Sequence, residues 1–206
     1  MANQLSGGYG LRPIGKVGGN VNNNATTQYE IANDYTTAIY NGGIVCPASS
    51  GTIIISDQAI SPLGVLAGVE YVDSNTKKTT FLNYWPGSGS VSVDTNHPVH
   101  DDPMQLFVVV ADGTNTDRAT ALADVFINCD MASVNNGSTN TGISSDMLDI
   151  STAATTNTLD VRIVGLYDDE GNIDYSAAGH QYVVRLNGHY NLNTSAAVGT
   201  FATTGI

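Results

Sequence analysis

The densest chemistry in the sequence is His97-Pro98-Val99-His100-Asp101-Asp102, where two imidazoles and two carboxylates fall in one short stretch. These are metal-ligand groups, but a working site needs them to converge from a fixed backbone. Pro98 and Pro103 predict an extended loop here, and no H-x-x-x-H helix is available. Adventitious metal binding is favoured over a functional site. A second candidate, Asp168-Asp169-Glu170-Gly171-Asn172-Ile173-Asp174, superficially resembles a calcium loop, with Asp168, Glu170 and Asp174 as its conceivable ligands. Its glycine falls too early for that loop and its flanks read as strands, so a solvated hairpin tip is the better reading. Gly87-Ser88-Gly89-Ser90 does not match the spacing of a nucleophile elbow and has no following helix. Gly18-Gly19 lacks the Lys-Ser/Thr and the strand-to-helix context of a phosphate loop. Glycoside hydrolysis needs paired carboxylates in a cleft, and the acidic residues fall mostly in turns. The expectation is a protein that is not an enzyme, with no catalytic residues, no metal and no cofactor.

The elements that would position such groups are mainly strands. Thr52-Ile53-Ile54-Ile55 and Met104 to Ala111 are β-branched or apolar runs that suit buried strands. Leu63 to Val72 reads as a strand with bends at Gly64 and Gly68. Asp73 to Lys78 is a polar hairpin loop, and Thr79 to Trp85 returns as a strand. Tyr29 to Tyr40 reads as strand, turn, strand. Leu159 to Tyr167 alternates and predicts an antiparallel partner in Gln181 to Leu186, with Asn187-Gly188 a strong hairpin signal. Asp117 to Phe126 is the plausible helix, capped by Thr116 or Asp117, with a strand over 123–128 competing. Ser144 to Ile150 suggests a single helical turn.

Together these predict an all-β chain: an antiparallel barrel or jelly-roll-like sandwich with at most one or two short helices. Residues 1–28, rich in Gly and Asn and including Asn22-Asn23-Asn24, predict an extended N-terminal arm, mobile when alone. Residues 29–190 form the β-rich core and 191–206 a polar tail.

Composition narrows the function classes. Seven Lys and Arg face 19 Asp and Glu, a formal net charge of −12, so phosphate is repelled and no nucleic-acid partner is expected. Charged residues make up 13% of the chain, about half the usual share. Asn, Thr, Ser and Gly stand in for them and suit turns and open strand faces. No apolar stretch approaches a membrane span, and the first residues carry no signal-peptide pattern. Cys46 and Cys129 lie far apart and read as free buried thiols of a chain folded in a reducing cytosol. Ten of the 15 aromatic residues are tyrosines. The densest aromatic cluster is Phe81, Tyr84 and Trp85, of which Tyr84 and Trp85 are the expected oligomer contacts.

Several segments now combine. Gly10-Leu11-Arg12-Pro13-Ile14-Gly15 is followed by Tyr29-x-Ile31 and Ala38-Ile39-Tyr40-x-Gly42. Leu63-Gly64-Val65-Leu66-x-Gly68-x-x-Tyr71-x-Asp73 comes next, then Phe81-Leu82-Asn83-Tyr84-Trp85-Pro86-Gly87 and Asp102-Pro103-Met104-Gln105-Leu106-Phe107. In this combination the chain resembles a family of small structural proteins encoded beside the major capsid protein in marine and cyanobacterial tailed phages, taken as capsid decoration or cement proteins. The resemblance covers most of residues 8–190 and is weakest in the tail and around Asp169. It implies a β-barrel or jelly-roll-like core and a virion protein on the capsid exterior, assembled in the host bacterial cytoplasm. The implied partners are the major capsid protein and the chain itself, as a trimer by preference or a dimer. Leu11, Arg12, Pro13, Ile14 and Lys16 are the expected capsid-binding residues. The alternative is a receptor- or glycan-binding knob or fibre domain of a virion, although no stalk is visible.

Overall fold

The structure is a computed structural model that describes residues 3–5, 7–19, 25–56, 58, 60–87, 89, 91, 95–132 and 135–192. In chain order the strands begin with β1 (Arg12–Lys16), β2 (Thr27–Ile31), β3 (Ile39–Tyr40), β4 (Ile44–Pro47) and β5 (Ile53–Ile55). They continue with β6 (Gly64–Leu66), β7 (Val69–Val72), β8 (Thr79–Leu82), β9 (Tyr84–Trp85), β10 (Thr95–His100) and β11 (Gln105–Val110). A short helix, α1 (Arg118–Ala123), precedes β12 (Asn128–Ala132), β13 (Met147–Ala154), β14 (Val161–Tyr167) and β15 (Gln181–Leu186).

A six-stranded sheet has the order β1-β11-β15-β14-β12-β13 and a five-stranded sheet the order β2-β10-β6-β4-β5. Two ribbons, β3-β9 and β7-β8, complete the fold, and the strand pairs are antiparallel. The chain is therefore all-β. The six-stranded sheet curls until Ala111, just past β11, bridges Leu148 of β13, yet no barrel closes, and a sandwich describes it best.

The apolar runs have a specific cause. In β4 and β6 successive residues are buried, because the five-stranded sheet is covered on both faces. Ile44 and Val65 pack with Phe107, Val109, Ile163 and Val184 of the six-stranded sheet. Their neighbours Val45 and Leu66 turn the other way, into a second core with Val99, Tyr71 and Trp85 beneath the ribbons. The edge strand β1, by contrast, alternates in exposure and carries Pro13 and a register shift before Gly15.

Several local expectations hold. Asp117 caps α1, its carboxylate accepting from the Thr120 N–H at 2.8 Å. β14 pairs with β15, and Gly68, at φ +117°, separates β6 from β7. Cys46 and Cys129 are buried and form no disulfide with each other. Others are corrected. The helical turn expected at Ser144–Ile150 is instead the approach to β13 and its first half. Asn187-Gly188 makes no hairpin: the Asn187 N–H and side-chain amide donate back to the carbonyls of Asp160 and Leu159, and the chain enters a 3-10 turn at Tyr190–Leu192. The strands at Thr27–Ile31 and Ile39–Tyr40 pair with β10 and β9 rather than with each other.

The N-terminal segment is extended, as expected, but where described it is no free arm. Asn3 Nδ2 donates to the carbonyls of Asp174, Ala177 and Ala178, and the Gln4 N–H donates to Gly171. Tyr9 and Leu11 are buried, and β1 is hydrogen-bonded to β11. The Gly and Asn pattern missed this because one leucine and one tyrosine suffice to anchor a strand that a sheet edge is ready to pair. The Asn22-Asn23-Asn24 run, Ser88, Ser90 and the tail beyond Leu192 lie outside the described residues.

Candidate functional site

Of the five residues expected to grip a capsid, Leu11 is excluded, being 1% exposed in the main core. Pro13 is half-buried at the strand irregularity, and Ile14 faces solvent beside it. Lys16 is half-buried, with its Nζ 2.6 Å from an Asp102 carboxylate oxygen. That contact comes first among the causes that hold Asp102 below the usual carboxylate range. Arg12 is exposed and lies over the Tyr9 ring, 4.0 Å from its centre. The Tyr9 hydroxyl in turn donates to Gln181 Oε1 at 2.7 Å.

The expected oligomer contacts also divide. Trp85 is fully buried inside the monomer, donating through Nε1 to the Tyr35 carbonyl at 3.0 Å and meeting Tyr71 and His97 edge-on. It therefore cannot be an intermolecular contact. Tyr84 is half-buried and stacks on Tyr40 with ring centres 5.4 Å apart.

The first part of the His-Asp stretch, residues 97–100, is strand and not the expected loop, and Asp101 and Asp102 follow the strand's end. In β10, His97 shares a core face with Val99, while His100 points to the opposite face, so the pleat separates the two imidazoles. Pro98 fits because the strand's pairing to β2 and β6 is staggered around it. Asp101 accepts from the hydroxyls of Thr27 and Tyr29. In the Asp168 turn, Asp168 accepts from Arg118 and Tyr175, and Asp169 accepts from Asn172. Asp174 accepts from Ser176. These carboxylates are engaged by protein donors. Among the described residues, no group of three or more His, Cys, Asp and Glu comes together to hold a metal ion.

The feature that sequence reasoning passed over is a positively charged sheet face. Arg162 of β14 and Arg185 of β15 stand directly opposite each other. Residues so paired point to the same face, where like charges repel. On that face, Arg185 is two residues from Val183, which pairs with Val108, which pairs with Arg12. Three of the seven cations of a chain with net charge −12 thus share the outer face of the six-stranded sheet. Arg162 Nε donates to Asn128 Oδ1 at 3.1 Å. Among the described residues, Arg185 reaches the Met104 sulfur, at 3.6 Å, and its Nε is buried without a partner. Burial and then the Arg162 charge lower the Arg185 pKa, in the direction of an uncompensated cation. Among the described residues, no carboxylate pairs with Arg12, Arg162 or Arg185. The alternation of β14 is compatible with an outward Arg162, but only the register shows that it meets Arg185.

A second exposed feature is apolar. Phe126 is 79% exposed with a backbone φ of +75°, an uncommon conformation for a bulky residue, and Leu122 on α1 is 51% exposed.

Comparison with protein-family models, with curated proteins and with solved structures finds no match to this chain.

Proposed function

We propose that this protein is a structural component of a tailed-phage virion that binds the outside of the head and stabilises the capsid, as a decoration or cement protein. The observation that carries the reading is the outward-facing Arg162–Arg185 pair, with Arg12 on the same face. Two guanidinium groups held opposite each other without a carboxylate are a fixed cost to the free protein. A surface of carboxylates removes that cost on contact, and the chain's overall acidity opposes the same docking everywhere else. The partner in this reading is an acidic patch of the major capsid protein, met many times over by symmetry so that modest contacts accumulate. Arg12 and Ile14, at the open edge of the sheet, extend the contact. Copies of the chain associate as a trimer or dimer, with Phe126 and Leu122 supplying the apolar area that Trp85 does not.

The test replaces both arginines. Arg162→Gln with Arg185→Gln relieves the repulsion, so the free protein keeps or slightly raises its unfolding midpoint. Sedimentation of the labelled variant with emptied, expanded heads is expected to weaken about tenfold or more. Wild-type binding is expected to weaken as salt rises. A wild-type protein that fails to sediment with such heads overturns the assignment. A double variant that binds heads as wild type does removes the arginine face from it.

A further inference from the structure

We propose that the groove between Phe81–Tyr84 and the loop at 138–142 is a binding site for a neutral carbohydrate. The groove measures about 300 Å³ and is open to solvent. Its working surface is Phe81, Asn83, Tyr84, Thr139, Asn140 and Thr141, and its described lining carries no charged side chain. In a chain with 19 acidic residues, a neutral lining selects against ionic ligands.

The chemistry present is the pair of features that sugar recognition requires. Phe81 is 71% exposed on the ribbon strand β8, so its ring offers a free apolar face. A pyranose presents a patch of C–H groups that packs on such a ring, while its hydroxyls need donors and acceptors at the rim. The amides of Asn83 and Asn140 and the hydroxyls of Thr139 and Thr141 supply both without charge. An exposed phenylalanine beside hydroxyls and amides has no role in the core, which closes without it.

The groove is also built in advance of any ligand. Asn83 Nδ2 donates to the Thr141 carbonyl at 3.0 Å, tying the loop to the strand. The Asn41 N–H donates to the Gly142 carbonyl at 3.0 Å, and the Gly142 N–H donates to Ser138. Gly142 has φ +72°, and a Cβ there would lie 2.5 Å from Asn83 Cβ. A Cβ at Gly137 would lie 2.3 Å from Cγ of Tyr40, whose ring stacks on Tyr84. Two glycines thus let the loop close on the aromatic pair and hold the groove's width. Preorganisation of this kind lowers the ordering cost of binding.

The proposal is independent of capsid attachment, and the test keeps the two apart. The full chain is titrated with neutral glucan, mannan and galactan oligosaccharides of four to six sugars and with a polyuronate of similar length, by ligand-observed NMR. Retention of at least one neutral sugar and rejection of the polyuronate are expected. Phe81→Ala is expected to weaken that binding about tenfold without changing the unfolding midpoint, because the ring is exposed. Arg162→Gln with Arg185→Gln is expected to leave sugar binding unchanged. Binding to no neutral sugar at millimolar concentration, binding to the polyuronate alone, or a Phe81→Ala variant that binds as wild type does each overturn the site.

Discussion

Deletion of residues 1–16 is expected to unfold the chain rather than to release it from a partner. The segment supplies the edge strand β1, the core residue Leu11 and the buried Tyr9 whose hydroxyl holds Gln181. Its loss strips the pairing edge from β11, the strand that also carries Phe107 and Val109 into the main core. Leu11→Ala alone is expected to cost about 2–5 kcal/mol, the range for a fully buried leucine. Added to the lost strand, that approaches the whole stability of a typical domain, about 5–15 kcal/mol. Urea unfolding followed by circular dichroism measures it. A truncated chain that retains a cooperative transition with an unchanged midpoint would show that the segment is an attachment device and not part of the fold.

Acid is expected to destabilise the protein well above the range where carboxylates titrate. All four histidines are buried. Burial pushes His97 and His189 down to about 4 and also lowers His100 and His180. In the unfolded chain an imidazole titrates near 6.5. Between those values the unfolded state holds more protons, so stability is complete above about 6.5 and is lost as pH falls toward 4. His97 and His189 together account for a loss on the order of 5 kcal/mol over that window.

Asp146 acts in the opposite sense. It is 1% exposed, burial raises its pKa to about 7, and its Oδ1 has no partner among the described residues. Its contribution is complete below the unfolded carboxylate value and is lost as pH rises through 7. Asp160 is shifted the same way, also by burial. Four histidines outweigh two carboxylates, so the net result is a fall in stability below about pH 6. The two signs separate by mutation. His97→Phe keeps a ring against Trp85 and is expected to flatten the acid limb. Asp146→Asn is expected to gain on the order of 2 kcal/mol at pH 8 and nothing near pH 4. Urea midpoints from pH 4 to 8 decide it: a wild-type profile that is flat from 6.5 to 4.5 contradicts the assignment.

Much of the fold was legible because its signals are local. Asp117 at the start of an alanine-rich run, the glycine at 68, and the alternation in β14 each act within a few residues, whereas Gly64, read as a bend, lies inside β6. What stayed hidden depends on distant partners. The pleat of β10 separates His97 from His100, but the sequence shows them only as a dense cluster flanked by prolines. Trp85 reads as an interface residue until the ribbons are seen to fold it under Tyr35 and His97. Leu11 looked isolated in a glycine-rich stretch because the face that buries it comes mainly from strands more than 90 residues further along. The arginine face was illegible for the same reason: Arg162 and Arg185 meet only through a register that a bulge between Ile163 and Gly165 adjusts. The sugar groove needs the loop at 138–142 brought to Asn83, a contact spanning 58 residues.

The most direct measurement is a cryo-electron reconstruction of an expanded tailed-phage head incubated with this protein. The expected map shows the chain on the capsid exterior, with the outer face of the six-stranded sheet inward and Arg12, Arg162 and Arg185 against capsid carboxylates. Absence of added density, or density with that sheet face turned to solvent, would contradict it.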